Sequence, residues 1–290
     1  MSKWWQNITK ALPASRKDII KLSETVRQLG QAVNRGNQEL FLTELLKSQR
    51  YSDPQRLARF EHQVYSQNGE DGILAEIFRR IGVSTRYFVE IGVGDGLENN
   101  TVYLLSRGWA GIWMEGSSKS AAVIRRNLNR LIGSKKLTLI ESFITRENVS
   151  SLLEQAGVPA DIDLLSIDID RNTFYIWEAL ADYKPRVVVV EYNAIMPPEL
   201  DWKVQYRADQ WYDGSLYFGA SLKAFEILGG RLGYSLVGCD LCGVNAFFVR
   251  NDLTGNHFTA PFSAENHYEP PRYWLIRTAG HPRGFGEFRA

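Results

Sequence analysis

Residues 86–105, RYFVEIGVGDGLENNTVYLL, decide the fold of this chain. An apolar segment with the composition of a β-strand runs into three glycines, Gly92, Gly94 and Gly96, and then into a segment with helical spacing. Glycine permits a sharp turn and lets the backbone approach a ligand without a Cβ clash. The stretch therefore predicts a strand, a ligand-binding turn and a helix.

Short apolar runs alternate with amphipathic segments beyond this stretch. Four segments with helical spacing separate five apolar runs, which are RYFVEIG, GIWMEG, KLTLIES, DLLSIDID and RVVVVEY. This alternation predicts a parallel sheet covered by helices on both faces. After a long aromatic loop and a helix expected over residues 215–233, a tight turn joins YSLVGC to VNAFFVR, so these two strands are antiparallel. We expect a seven-stranded, mostly parallel α/β sheet with an antiparallel last strand.

Composition and charge limit the classes of partner. The chain has 290 residues, 44% of them hydrophobic, with 34 basic and 33 acidic side chains and a net charge of +1. This even balance argues against a nucleic-acid partner. The longest aliphatic run, Val187 to Val190, is too short to cross a bilayer, and the N-terminus lacks the apolar core of a signal peptide. We expect no transmembrane segment, a cytoplasmic location, and reduced structural thiols at Cys239 and Cys242.

The chain is expected to have three parts: an N-terminal helical arm over 1–60, a catalytic domain over 61–255 and a C-terminal extension over 256–290. In the arm, apolar residues follow a three-four spacing that is interrupted at Gly36. Two interpretations are open, a helix that packs on the main domain and a short coiled-coil seam between chains. The second would make the protein a homo-oligomer.

The glycine turn and the next strand indicate a cofactor. A dinucleotide turn, G-x-G-x-x-G, would have a third glycine where this chain has Leu97. The pattern G-x-G-x-G preceded by Glu90 instead resembles the first motif of class I S-adenosylmethionine-dependent methyltransferases. Glu115 ends the next strand and could accept hydrogen bonds from ribose hydroxyls, as it also could for NAD. Together these residues, with Gly92 and Gly94, favour S-adenosylmethionine over NAD.

Four more residues are expected near this cofactor, and one of them is Asp168 after the fourth strand. Asp95 and Ser142 lie at the same edge of the predicted sheet and are assigned to the methionine part and the adenine. Gln67 belongs to a Ser-Gln-Asn-Gly-Glu-Asp block whose polar groups are expected over the cofactor.

Several blocks in register resemble the FkbM-like methyltransferases, in particular a branch that opens with Ser-Gln-Asn-Gly-Glu-Asp. They are YSQNGEDGILAEIF, FVEIGVGDGLENNTVYLLSRGWAGIWME, LLSIDIDRNTFYIWEAL, VVVVEYNA and YFGASLKAFEILGGRLGYSLVGCDLCGVNAFFVR, within residues 63–252. The resemblance implies a Rossmann-like class I methyltransferase fold. It also implies O-methylation of a carbohydrate, a glycoconjugate or another small-molecule hydroxyl, without identifying the acceptor.

Methyl transfer to a hydroxyl requires a general base or a metal ion. Asp168 and Asp170 follow the fourth strand and Glu191 and Asn193 the fifth, and a spacing of two places each pair on one face. Such oxygen donors suit Mg²⁺ or Mn²⁺. The same carboxylates could instead cap helices with no metal bound. In that case Asp168, Asp170 or His62 would act as the base.

The acceptor site is expected in the loop of residues 194–219. Its aromatic side chains, among them Trp202, Tyr206 and Trp211, suit a sugar ring, although they could equally form a satellite core or a dimer contact. Where the resembling branch usually has Gly-Asn-Asp, this chain has Arg171 followed by Asn and Thr. That arginine puts the metal and turnover in question, and it could also hold an anionic acceptor.

Two other functions stay open at this point. One is an NAD-dependent sugar oxidoreductase, which Leu97 disfavours, and the other is a catalytically silent binding module, which Arg171 keeps under consideration.

Overall fold

The computed structural model describes residues 16–275. The first 15 residues of the predicted arm and residues 276–290 of the predicted C-terminal extension lie outside the described part. The described residues divide into two compact units, one that ends at Ser52 and one that begins at Asp53.

The first unit contains helix α1, Arg16–Lys47, followed by a short 3₁₀ helix, Gln49–Tyr51. The helix expected from residue 17 is present, and it continues through Gly36, where the apolar pattern breaks. A glycine inside a helix costs only about 1 kcal/mol relative to alanine, so it weakens the helix without ending it. Asp18 in the first turn and Lys47 in the last both complement the helix dipole.

The second unit is built on a seven-stranded sheet in the order β3-β2-β1-β4-β5-β7-β6. The strands are β1 Tyr87–Ile91, β2 Ala110–Glu115, β3 Leu137–Glu141, β4 Leu164–Ile167, β5 Val187–Glu191, β6 Tyr234–Cys239 and β7 Asn245–Arg250. The first five strands pair in parallel, and β7 is antiparallel to both β5 and β6. The predicted sheet is confirmed, and its order and directions are those of the Rossmann-like methyltransferase fold.

Helices connect the strands and cover the sheet. They are a 3₁₀ helix Leu57–Phe60 and α2 Glu70–Ile81, α3 Val102–Ser106, α4 Ser118–Asn127, α5 Asn129–Gly133, α6 Val149–Gln155, α7 Thr173–Ala179, α8 Leu222–Leu232, α9 Asn251–Thr254 and α10 Ala264–His267. The helix expected over 215–233 is shorter than predicted. The Ser221 hydroxyl caps it by accepting a hydrogen bond from Ala224 N–H, so residues 215–221 belong to the preceding loop.

Alternation along the strands places apolar side chains in two cores. On β5, Val187 and Val189 enter one core while Val188 and Val190 enter the other. The first of these cores is closed by α2, α3, α4 and α5, and the second by α6, α7 and α8. Cys239 and Cys242 are both buried, and they are not joined to each other by a disulfide. None of the helices within residues 16–275 is long and apolar enough to span a membrane.

Candidate active site at the carboxyl edge of the sheet

The glycine turn after β1 forms one wall of the site. Gly92, Gly94 and Gly96 all have left-handed backbones, with φ of 83°, 56° and 80°. A Cβ on Gly92 would lie 1.6 Å from the carbonyl oxygen of Asp168, and one on Gly96 would lie 2.7 Å from the Trp113 ring. A Cβ on Gly94 would meet nothing within 4 Å. The outer glycines are thus required for packing, whereas Gly94 leaves open space beside the turn.

Glu90 holds the segment that follows this turn. Its buried carboxylate accepts hydrogen bonds from Asn99 Nδ2, from the backbone N–H groups of Asn100 and Thr101, and from the Thr101 hydroxyl. Burial raises the pKa of Glu90, and these donors act in the opposite direction. Glu90 does not line the cavity described below, so the structure gives it a role in positioning the loop that leads to α3.

Glu115 joins the glycine turn to the end of β2. One carboxylate oxygen accepts from Gly94 N–H at 2.8 Å and the other from Ser117 N–H at 2.7 Å. The side chain is buried but lines the cavity. Each oxygen retains the capacity to accept a second hydrogen bond. Glu115 can therefore orient the turn and contact a ligand at the same time.

A cavity of about 320 Å³ opens at this edge of the sheet. It is lined by Gly92, Gly94, Met114, Glu115, Gly116, Phe143, Ile144, Asp168, Ile169, Asp170, Asn172, Gln210, Trp211 and Tyr212. The lining joins the carboxyl ends of β1, β2, β3 and β4 to the long loop after β5. Small-molecule sites in open α/β sheets lie at this position, and the volume is within their range.

Three carboxylates converge beside the cavity. Asp168, Asp170 and Glu191 each offer an oxygen within 4.8 Å of the other two. The carboxyl groups of Asp168 and Glu191 are hydrogen-bonded to each other, and Glu191 Oε2 is buried with no donor among the described residues. Two adjacent carboxyl groups must share either a proton or a cation.

Burial and mutual repulsion make these acids weak. Burial, and then the negative charges of Asp170 and Glu90, raise the pKa of Asp168 to about 7. Burial and the charges of Asp168 and Asp170 hold the pKa of Glu191 well above its usual range. Burial also raises the pKa of Asp170. A carboxylate with a pKa near neutrality is suited to general-base chemistry.

The turn after β4 has its unusual backbone at Asp170 and not at Arg171. Asp170 has a left-handed backbone with φ of 57°, which aspartate tolerates better than most residues, whereas Arg171 does not have a positive φ. A glycine at position 171 is therefore not needed for this turn. The Arg171 guanidinium lies 5.2 Å from the centre of the Tyr217 ring and does not line the cavity.

Asn193 and two of the predicted acceptor residues support the long loop. Asn193 donates hydrogen bonds to the carbonyls of Leu216 and Phe218, and its side-chain oxygen accepts from Ile195 N–H. Trp202 lies edge-on to Tyr217 at 5.6 Å. The hydroxyl of Tyr206, the second acceptor residue, donates to Glu147. None of the three lines the cavity, whereas Trp211 does, with its ring centre 4.7 Å from that of Phe143.

Four other predicted site residues also lie outside the cavity lining. Asp95 is exposed and accepts from Leu97 N–H, and Ser142 directly precedes Phe143 of the lining. Gln67 and His62 are exposed and belong to the segment that leads into α2. That segment is held by Asp71, whose carboxylate accepts three backbone hydrogen bonds from residues 64–66.

Two prominent residues of the lining, Phe143 and Ile144, were not predicted from the sequence, and Tyr212 was included only as one of the aromatic side chains of the loop. Phe143 and Ile144 lie two and three residues after the end of β3, so their position near the strand end was a usable signal. Tyr212 is next to Trp211 in the aromatic loop, but its neighbours in the sequence do not distinguish it from the aromatic residues that support the loop.

Comparison with known proteins identifies structures of similar topology. Cofactor-bound Rv0187 from MTB aligns with a TM-score of 0.44 at 17% identity, over 72% of this chain and 95% of that one. The glycopeptide N-methyltransferase MtfA, solved with S-adenosyl-L-methionine, aligns with a TM-score of 0.38 at 13% identity, over 65% and 96%. Precorrin-6y C5,15-methyltransferase from Geobacter metallireducens aligns with a TM-score of 0.32 at 17% identity, over 46% and 66%.

No protein-family model and no curated protein matches the chain. At these identities and TM-scores the similarity to the solved structures concerns the arrangement of strands and helices alone.

Proposed function

We propose that this protein is an S-adenosylmethionine-dependent O-methyltransferase of the FkbM-like kind, acting on a hydroxyl of a carbohydrate or glycoconjugate. The observation that carries the proposal is one cavity with two chemically different walls. The glycine turn and Glu115 form the first wall, and Asp168 with its neighbouring carboxylates forms the second. The first suits a nucleoside cofactor, and the second suits deprotonation of an acceptor.

The cofactor assignment is supported by the residues of the first wall. Open space beside Gly94 admits a ligand, and Glu115 has acceptor capacity for the ribose hydroxyls. The apolar rings of Phe143 and Trp211 offer surfaces for a heterocyclic base. Leu97 stands where a dinucleotide turn would have its third glycine, which disfavours NAD.

The bound cofactor supplies an electrophilic methyl group. When bound, S-adenosylmethionine would donate this methyl group to the acceptor oxygen, with S-adenosylhomocysteine as the leaving group. The hydroxyl proton passes to the Asp168 carboxylate, which can take it near neutrality because its pKa is raised. The walls of the cavity would position an acceptor beside the cofactor, and such positioning can supply much of the rate.

The carboxylates also fit a divalent cation. Mg²⁺ or Mn²⁺ would be held by Asp168, Asp170 and Glu191, since these oxygens converge and Glu191 Oε2 has no donor within the described chain. A bound cation would replace the proton shared by the acids and lower the pKa of an acceptor hydroxyl. Asn193, predicted as a fourth ligand, is committed to loop carbonyls, so we assign it to positioning.

The acceptor would enter between the carboxylates and the loop that carries Trp211 and Tyr212. Exposed aromatic faces stack on the C–H faces of sugar rings, and Gln210 offers an amide for hydroxyl recognition. The Arg171 guanidinium stacks on Tyr217, so it supports the loop and is not assigned to an anionic acceptor.

The first test is calorimetric titration of chelator-treated protein with S-adenosylhomocysteine and, separately, with NAD. We expect binding of the first and none of the second. Titration with Mn²⁺ then tests the cation, with Asp168→Asn as the variant and Asp95→Asn as the exposed control. Binding of NAD alone would overturn the proposal in favour of an oxidoreductase, and binding of neither ligand would favour a silent module.

Methyl transfer itself is tested with isotopically labelled S-adenosylmethionine and a panel of sugars, glycolipids and nucleoside diphosphate sugars. Label transferred to a hydroxyl is the expected result. Label found on an amine would contradict O-methylation while leaving the cofactor assignment intact.

A further inference from the structure

We infer that helix α1 pairs with α1 of a second copy of this chain, in parallel, as a two-stranded coiled coil. The inference concerns the first unit and does not depend on the proposed catalytic function. It rests on an apolar stripe along the helix, on the kinds of residue at each position of that stripe, and on its area.

The stripe lies on one face of α1. Ile19, Leu22, Val26, Leu29, Val33 and Leu40 recur at alternating steps of three and four, with one skipped position at Gly36. Their side chains are between 57% and 67% exposed. Ile20 lies outside the stripe. From residue 21 to residue 35 the opposite face is polar, with Lys21, Glu24, Arg27, Gln28, Gln31, Asn34 and Arg35. This is the pattern of a helix that buries one seam.

The helix has little intrinsic support. Every residue from 16 to 37 is exposed, and this segment contains two glycines, Gly30 and Gly36, together with Val26 and Val33. Glycine and β-branched residues are poor helix formers, and helices in proteins owe most of their stability to burial of an apolar face. A stable α1 therefore requires a partner that covers the stripe.

The residue types along the stripe specify that partner. With Ile19 at heptad position a, all a positions through residue 33 are β-branched, and Leu22 and Leu29 occupy the d positions. β-Branched residues at a with leucine at d favour parallel, two-stranded coiled coils. The flanking e and g positions between residues 23 and 32 are Ser23, Thr25, Gly30 and Ala32, which carry no charge to oppose a second identical helix. An identical helix in register is thus the matching occupant.

The area available is also sufficient for a pair. Burying the exposed part of each aliphatic side chain removes on the order of 80 Å² of apolar surface. Six side chains from each of two helices therefore give roughly 1,000 Å². Backbone and flanking atoms add to this value, which brings the contact to the size of a specific interface, roughly 1,200 Å² in total.

The experiment is sedimentation velocity of the full chain over a concentration series. The test variant is L22K/L29K, which puts charges at two d positions, and the matched control is Q28K/Q31K, which adds the same charge to the polar face. We expect a dimer for the natural chain and for the control. For the test variant we expect a dimer dissociation constant about a hundredfold higher. Equal thermal unfolding of the second unit in all three verifies folding.

Orientation is tested by Ile19→Cys near the start of the helix. In a parallel pair the two introduced thiols meet and form a disulfide under mild oxidation, whereas an antiparallel pair separates them. Cys239 and Cys242 are buried, and the natural chain serves as the control for them. Four results would each overturn the inference. They are a monomeric natural chain, an assembly of three or more chains, a dimer that persists in L22K/L29K, and a dimer of the Ile19→Cys variant that forms no cross-link.

Discussion

Replacing Glu115 by alanine should weaken binding of S-adenosylhomocysteine. The Glu115 carboxylate is buried and bonded to Gly94 N–H and Ser117 N–H, so it is fixed in position before a ligand arrives. Hydrogen bonds to a charged group contribute about 1.5–3 kcal/mol. Loss of the ribose contacts, together with a less ordered turn, should cost the ligand that amount, which is roughly a 10- to 150-fold rise in Kd.

Isothermal titration calorimetry with S-adenosylhomocysteine measures this change, and Glu141→Ala is the matched control. Glu141 ends the neighbouring strand in register with Glu115, but its carboxylate pairs with Arg125 and does not line the cavity. The control should bind as the natural chain does. An E115A protein that is folded by circular dichroism and binds within twofold of the natural chain would refute the assignment of Glu115.

Two further predictions concern the site, and a third concerns Asp240 in the turn between β6 and β7. Asp168→Asn should lower kcat roughly 10²- to 10⁴-fold with little change in S-adenosylhomocysteine affinity, and a loss below tenfold would argue against Asp168 as the base. Glu90→Ala should lower the free energy of unfolding in urea by about 2–5 kcal/mol, since buried N–H groups lose their acceptors; a loss under 1 kcal/mol, on the order of a single exposed contact, would contradict its positioning role. Burial and the charges of Glu70 and Glu61 raise the pKa of Asp240 in the folded protein. The stabilisation from protonated Asp240 is therefore fully present below the unfolded pKa of about 3.8, and it is lost as pH rises through the folded pKa. Between these two pKa values the unfolding free energy of the natural chain should fall more steeply with pH than that of the Asp240→Asn variant, by about 1.4 kcal/mol per pH unit. Parallel profiles would exclude the raised pKa.

Three residues that the sequence places at strand ends line the cavity: Gly94 after β1, Glu115 at the end of β2 and Asp168 after β4. The carboxyl ends of parallel strands meet at one edge, so their position follows once the strands are recognised. Trp211 also reached it, through a loop whose path no local pattern specifies.

Residue type alone does not determine where a side chain is used. Arg171 and Tyr206 carry groups suited to an acceptor, but both are used to hold the long loop in place. Asn193 has the chemistry of a metal ligand and instead binds two carbonyls of that loop. A polar or aromatic group will satisfy its hydrogen bonds and contacts with whichever neighbour the fold supplies, and in each case that neighbour is distant in the sequence.

The sequence by itself determined the order of strands and helices along the chain, the turn after β1 and the edge of the sheet at which the candidate site residues lie. These features depend on local periodicity, on glycine backbones and on the geometry of parallel strands. Only the tertiary structure decided that Glu90 faces the loop while Glu115 faces the cavity, that Glu191 lies against Asp168, and that Trp211 reaches Phe143. Those outcomes depend on contacts between residues far apart in the chain, whose geometry is set when the whole domain packs.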